Sequence, residues 1–181
     1  MARRVVLDLA VTLDGFIEGE HGEIDWCIMD PEMDFTAFLE SVDTILFGRK
    51  SYDLWKSYVP EGEVSDLDKE MMQMSEDKEK IVFSRSKRGT EENAAFSDDI
   101  GGTVEKLKEQ EGQNLWLYGG AELITECVNL GLVDEYRLSV HPLVLGRGKP
   151  LFKNIEGRLD LELQKVNRYD SGVVQLIYGR A

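Results

Sequence analysis

The chain has 181 residues, 42% hydrophobic and 31% charged, with a formal net charge of −14 at pH 7. This length supports a real core, the composition is that of a globular chain, and no apolar run approaches the ~20 residues of a membrane span. So negative a chain is poorly suited to nucleic acid or to an anionic membrane surface.

The N-terminal "MARRVVLDLA" places two arginines before an apolar run, as a leader peptide does. Asp8 interrupts that run and no cleavage-like site follows, so residues 4–13 are read as a buried first strand and a cytoplasmic protein is expected. "DGFIEGEHGEID" is a glycine-punctuated loop in which Asp14-Gly15 is ordinary turn chemistry. Asp30 is placed to cap a helix with Pro31 at its first position, and Phe35, Phe38, Leu39 and Val42 recur at helical spacing. "DTILFG" (43–48) is a short buried strand, and "RKSYDLWKSY" starts a helix directly behind it. Residues 65–77 form a charged helix with Ser65 and Asp68 in capping-box-like positions.

"KIVFS" (80–84) is a further buried strand that runs into the basic loop "RSKRG". A short strand (94–97) and a solvated helix closed by Gly112 precede the strand "NLWLY" and the helix "GAELITECVNLG", which ends on Gly131. After that the pattern changes to strands, "VDEYRLSVHPLVL" and "DLELQKVNRYDSGVVQLIYG", with a hairpin turn at 170–172. Strand and helix alternate first and an antiparallel pair comes last. The expectation is a single α/β domain over 1–181: a mainly parallel central sheet, helices on both faces, and a C-terminal antiparallel hairpin. Cys27 and Cys127 form no CxxC, so buried free thiols are expected; His21 and His141 stand apart and give no zinc pattern, so no metal is expected.

In open α/β sheets ligands bind beyond the carboxyl ends of the strands. "ILFGRKSY" sets Gly48, Arg49, Lys50 and Ser51 at one such end, and "IVFSRSKR" sets Ser84, Arg85, Ser86, Lys87 and Arg88 at another. "LWLYGGAELI" supplies Gly119 and Gly120, a backbone without Cβ atoms leading straight into a helix N-terminus with unpaired N–H groups. Either basic loop alone is better read as solvated surface. Together with two glycine-led helix starts, they favour a phosphate-bearing ligand. A dinucleotide of the NADP type fits, with its pyrophosphate at the helix starts of Gly48 and Gly120 and its 2′-phosphate at Arg49 or Arg85. No GxGxxG follows the first strand, so this is not the Rossmann arrangement.

The segments "LAVTLDGFI", "LFGRKSY", "IVFS", "LYGGAELI" and "LVDEYRLSVHPLVLGRGKPLF" occur in an order that resembles dihydrofolate reductase. They equally resemble its relative, the reductase domain of the bifunctional riboflavin-biosynthesis deaminase-reductase. The resemblance implies a three-layer α/β/α dihydrofolate reductase-like fold and an NADPH-dependent reductase. Its substrate would be a small pteridine- or pyrimidine-type heterocycle. By motif, Ala10 and Ile17 would flank the nicotinamide, Arg49, Lys50 and Ser51 would hold phosphates, and Ser84 and Arg85 would lie near the adenosine 2′-phosphate. Gly119-Gly120 would form a cis peptide, and Ala121, Glu122 and Leu123 would open the pyrophosphate helix. Trp26 would stand near the active site. Asp34 matches a helix carboxylate that binds pteridine, although the approach to it from Trp26 is longer than the family spacing; a plain first-turn carboxylate is the equal alternative.

Two departures stand against the riboflavin branch: Tyr118 replaces its usual glutamate, and no Asp-Asp-Pro follows Ser51. The alternative function is a non-catalytic NADP(H)-binding protein that keeps the dinucleotide cleft. The apolar terminal hairpin, which would be an aggregation hazard if left uncovered, implies a homodimer, as in the riboflavin reductase branch.

Overall fold

A strand buried on both faces must alternate its side chains between two cores, and the first strand does so. The structure, a computed structural model, describes residues 3–33, 35–59 and 66–181. In chain order its elements are β1 (Val5–Thr12), β2 (Phe16–Glu18), α1 (Phe35–Glu40), β3 (Val42–Gly48), α2 (Arg49–Ser57), α3 (Asp66–Glu76), β4 (Glu79–Phe83) and β5 (Gly89–Glu91). There follow β6 (Ala94–Ser97), α4 (Ile100–Glu109), β7 (Asn114–Gly119), α5 (Ala121–Asn129), β8 (Glu135–His141), β9 (Lys149–Pro150), β10 (Leu161–Arg168) and β11 (Val174–Arg180).

Val5, Leu7 and Val11 point from β1 into a core closed by Val104 and Leu107 of α4 and by Leu123, Ile124, Cys127 and Val128 of α5. Val6 points the other way, into a core with Phe38 and Leu39 of α1, Phe47, Tyr52 of α2 and Trp116. This two-residue period places helices on both faces. Nine strands form one sheet in the order β10-β11-β8-β1-β7-β3-β4-β6-β5. β1 runs parallel to β7 and β8, and β3 to β4 and β7, because each is reached by a crossover. β10 and β11 pair antiparallel and join the sheet through β8, with Gly172 at φ +88 in the turn between them. The expected architecture is therefore present: mainly parallel, with an antiparallel hairpin last.

Several local expectations change. Asp30 does not cap a long helix; its Oδ1 accepts from the Glu32 amide at 2.9 Å over a 3-10 turn at Pro31–Met33, and α1 begins at Phe35. The stretch from 133 to 145 is not one strand: β8 stops at His141, because the next residue is Pro142, which has no amide to donate. The basic loop ends sooner than expected, since Gly89 opens β5, which pairs antiparallel with β6. α4 is capped by Asp99, whose side chain accepts from the Gly102 amide, and it ends at Glu109, ahead of Gly112. Cys127 is buried but Cys27 only half-buried. Burial pushes their thiols up to about 12 and about 11 respectively, so both are inert at neutral pH. Ser65 lies outside the described residues, and with it the capping box.

Candidate functional site

The two glycine-led helices meet. Gly48 stands at the N-cap of α2 and Gly120 at the N-cap of α5, and neither end has a side-chain cap. A methyl group on Gly48 would lie 3.4 Å from the Gly120 nitrogen and 3.7 Å from the Leu123 Cβ. Two helix N-termini with unspent amides thus converge at the carboxyl ends of β3 and β7, where their dipoles add. The peptide between Gly119 and Gly120 is cis, as the motif implied, and Gly119 carries a φ of +119. Ser51 closes the cradle from α2: a Cβ on Gly120 would come within 3.0 Å of its hydroxyl. Ala121, Glu122 and Leu123 form the first turn of α5, with Leu123 buried beneath it and Glu122 turned to solvent.

The basic loops are less cationic than their composition suggests. Of the five cations at Arg49, Lys50, Arg85, Lys87 and Arg88, three are already ion-paired, with Asp53, Glu91 and Asp98. Arg49 spends its Nε on both oxygens of Asp53. Lys50 and Arg85 are exposed and carry no ion pair among the described residues. Ser84 is 8% exposed, and its hydroxyl accepts from the amides of Ser86 and Lys87 at 3.3 and 3.1 Å. Its first duty is to fold its own loop. The Phe96 ring lies beneath two of the cations, 5.7 Å from the Arg49 guanidinium and 4.4 Å from the Lys87 ammonium.

On the α1 side of the sheet lies a second, partly open region. Ala10 is half-buried on β1, opposite Ser139 of β8. Trp26 meets His141 edge-on at 5.3 Å, and its Nε1 donates to the Glu23 carbonyl at 3.3 Å. Phe35 and Phe38 of α1 pack edge-on against Trp116, at 5.5 and 5.4 Å. Ile17 lies on β2 and packs against the opposite core, that of α4 and α5. Asp34 lies outside the described residues, so its two readings stand as they were.

A family model described as the RibD C-terminal domain matches residues 3–175. The chain belongs to this family. The uncharacterized protein YyaP of Bacillus subtilis (strain 168) is 55% identical over 177 residues, 97% of this chain and 94% of the relative. Two solved structures share the fold. One is a diaminohydroxyphosphoribosylaminopyrimidine deaminase/5-amino-6-(5-phosphoribosylamino)uracil reductase from Thermotoga maritima, with a TM-score of 0.69 and 17% identity over 99% of this chain and 57% of that one. The other is dihydrofolate reductase from Enterococcus faecalis complexed with NADP(H) and RAB-propyl, with a TM-score of 0.66 and 14% identity over 99% of both. The family and fold implied by the motifs are therefore those of the chain.

Within this reductase-like RibD C-terminal fold, four polar residues do more than the sequence reading gave them. Asp14 is more than a turn residue: it accepts from Thr12 Oγ1 at 2.6 Å and from the amides of Leu145 and Gly146 at 3.1 and 2.7 Å. It thereby ties the β1–β2 turn to the loop after β8, and these bonds hold its carboxyl below the usual range. Asp8, Arg137 and His141 lie on the α1 side of the sheet, with Arg137 over the Phe38 ring of α1 and His141 against Trp26. The only sequence signal for Asp8 was a charge inside an apolar strand. Among the described residues no cluster suits a metal ion, and no helix is long and apolar enough to cross a membrane.

Proposed function

We propose that this protein is an NADPH-dependent reductase acting on a small pteridine- or pyrimidine-type heterocycle. The single observation that carries the reading is the meeting of two uncapped helix N-termini at Gly48 and Gly120, a cradle that a Cβ would fill. Such a cradle suits a pyrophosphate, whose oxygens take the amide hydrogens and sit at the positive ends of both helices. Lys50 and Arg85, which have no carboxylate partner among the described residues, are placed to meet further phosphate oxygens. NADPH, once bound, supplies the hydride. The chain's own contribution is to hold the phosphates, to shield the nicotinamide beside Ala10 and Trp26, and to seat the heterocycle under α1. The deciding experiment is NADPH titration followed by NADPH oxidation with dihydrofolate, dihydropteridines and the riboflavin pyrimidine intermediate. Tight binding without oxidation of any of these would favour the non-catalytic reading.

Arg85 also fixes a cofactor preference. A charge-assisted hydrogen bond contributes ~1.5–3 kcal/mol, equivalent to about ten- to a hundredfold in affinity. NADPH is therefore expected to bind more tightly than NADH by that factor, and Arg85→Gln should erase most of the difference without changing NADH affinity. Equal affinities in the parent protein would remove the 2′-phosphate role from this loop.

A homodimer follows from the same reading. β10 is an edge strand that turns Leu163 and Val166 outward at 51% and 46% exposure. A long edge with apolar side chains invites pairing unless another surface covers it. Sedimentation at micromolar concentration is expected to give twice the 20.6 kDa chain mass, and Leu163→Lys together with Val166→Lys should shift it to monomer. A parent protein that sediments as 20.6 kDa would rule the dimer out.

A further inference from the structure

Pairing in register puts Asp8 of β1 directly opposite Arg137 of β8. Both lie on the α1 face, since Val6, two residues before Asp8, is buried against α1. Arg137 is held from one side only: its Nε donates to Glu135, and its guanidinium lies 5.3 Å from the centre of the Phe38 ring. Glu135 in turn takes Arg4 at 2.9 Å, so this buried carboxylate is balanced by two arginines. The terminal Nη groups of Arg137 carry no hydrogen bond among the described residues. Neither does the Asp8 carboxylate; only its backbone carbonyl is used, accepting from Trp116 Nε1 at 3.2 Å.

Further along the same two strands Ala10 faces Ser139 and Thr12 faces His141. His141 is 1% exposed, and its Nε2 has no hydrogen-bond partner among the described residues. Ala10, with only a methyl side chain, stands between these groups on β1 and is itself half-buried. A buried polar atom, a carboxylate and two guanidinium nitrogens without hydrogen bonds among the described residues, all on one strip, are costly unless something pairs them. A polar planar ligand laid along the strip would satisfy them.

We propose that Asp8 and Arg137 read the substrate, binding the lactam edge of a planar heterocycle through its ring N–H and the adjacent carbonyl oxygen. Asp8 accepts from the N–H, and the Arg137 Nη groups donate to the carbonyl. An acceptor beside a donor, one strand spacing of about 4.8 Å apart, is complementary to those two atoms. The pair is neutral as a whole, so it favours an uncharged ring over an anion. This inference rests on the reading of the chain as a reductase of such heterocycles and names the residues that select them.

Asp8 is half-buried, and desolvation by the protein packed around it pushes its carboxyl up to about 7 against the pull of Arg137. Other charged or titratable groups described on this face include Glu135, Arg4, His141 and Tyr118, with Lys80 further along on β4; α1 presents Phe35 and Phe38. The sign for stability follows. Below pH ~4 Asp8 is neutral in both the folded and the unfolded chain. Between pH ~4 and about 7 the unfolded chain loses its proton first, so stability falls across that window as pH rises. Asp8→Asn escapes that loss, so its melting temperature should gain on the parent between pH 4 and pH 8. That gain also shows that the variant is folded.

The test uses pterin (2-amino-4-oxopteridine) and 2,4-diaminopteridine, which lacks the carbonyl, titrated at pH 7 with and without NADPH. The parent is expected to prefer pterin. Asp8→Asn and Arg137→Lys should each weaken pterin by about ten- to a hundredfold, as loss of a charge-assisted hydrogen bond does. NADPH affinity, titrated separately, should stay within about twofold. Pterin affinity unchanged in both variants, or a parent that binds pterin no better than 2,4-diaminopteridine, would overturn the proposal. A parent that fails to bind NADPH would overturn the proposed function instead, and the titrations without NADPH would still decide the role of Asp8 and Arg137.

Discussion

Gly120→Ala is expected to melt within a few degrees of the parent protein and to bind NADPH too weakly to detect. At this residue φ is −81 and ψ is −163, an extended backbone that alanine adopts without strain. The new methyl would meet one close neighbour, the Ser51 hydroxyl at 3.0 Å, and a serine side chain can rotate away. The fold therefore has a way to accommodate it. The cofactor has none, because methyl and displaced hydroxyl together fill the cradle between α2 and α5. Gly119→Ala is the matched control with the opposite outcome. Gly119 lies at φ +119, and its Cβ would press on Ile124 at 3.3 Å, so stability should fall by ~1–3 kcal/mol. Thermal melting and NADPH titration of both variants side by side separate the two roles. Normal NADPH binding by Gly120→Ala would show that this glycine serves the turn and not the ligand.

Phe47→Ala carries the largest expected loss of stability. Phe47 is the penultimate residue of β3, is 0% exposed, and packs against Tyr52, Trp55 and Tyr118 with ring centres 5.6, 5.6 and 4.7 Å away. Removing a buried phenyl ring costs ~3–5 kcal/mol, as lost transfer energy plus the cavity that remains. For a chain of 181 residues each kcal/mol lowers the melting temperature by roughly 2–4 °C, so a drop of roughly 10 °C is expected. Phe47→Leu, which refills much of the volume, should lose less than half as much. Equal losses for the two variants would mean that the cluster is held by something other than the ring.

Much of this protein was legible along the chain because its signals are local. The run "ILFG" is uniformly apolar because β3 is covered on both faces, and "LYGG" stops because α5 starts at once. Turn glycines, apolar periods and strand ends need only nearest neighbours to be read, and they led to the two uncapped helix starts at Gly48 and Gly120. The boundaries that failed were those set by pairing or capping, which no run of residue types announces. β5 exists because Gly89–Glu91 finds β6, and three residues of that kind carry no strand signal of their own.

What the sequence by itself determined was therefore the alternation of strand and helix, the antiparallel finish, the two glycine-led helix starts and the family. The structure pairs three of the five strand-end cations, Arg49, Lys87 and Arg88, with Asp53, Glu91 and Asp98, and the first two pairs are i,i+4 contacts that the spacing itself offered. It alone decided that Asp14 ties two loops 131 residues apart in the chain, and that Asp8 faces Arg137. The physical reason is the same in each case. Periodicity depends on how a residue sits relative to its chain neighbours, whereas the energy of a charge depends on what the register of distant strands places beside it.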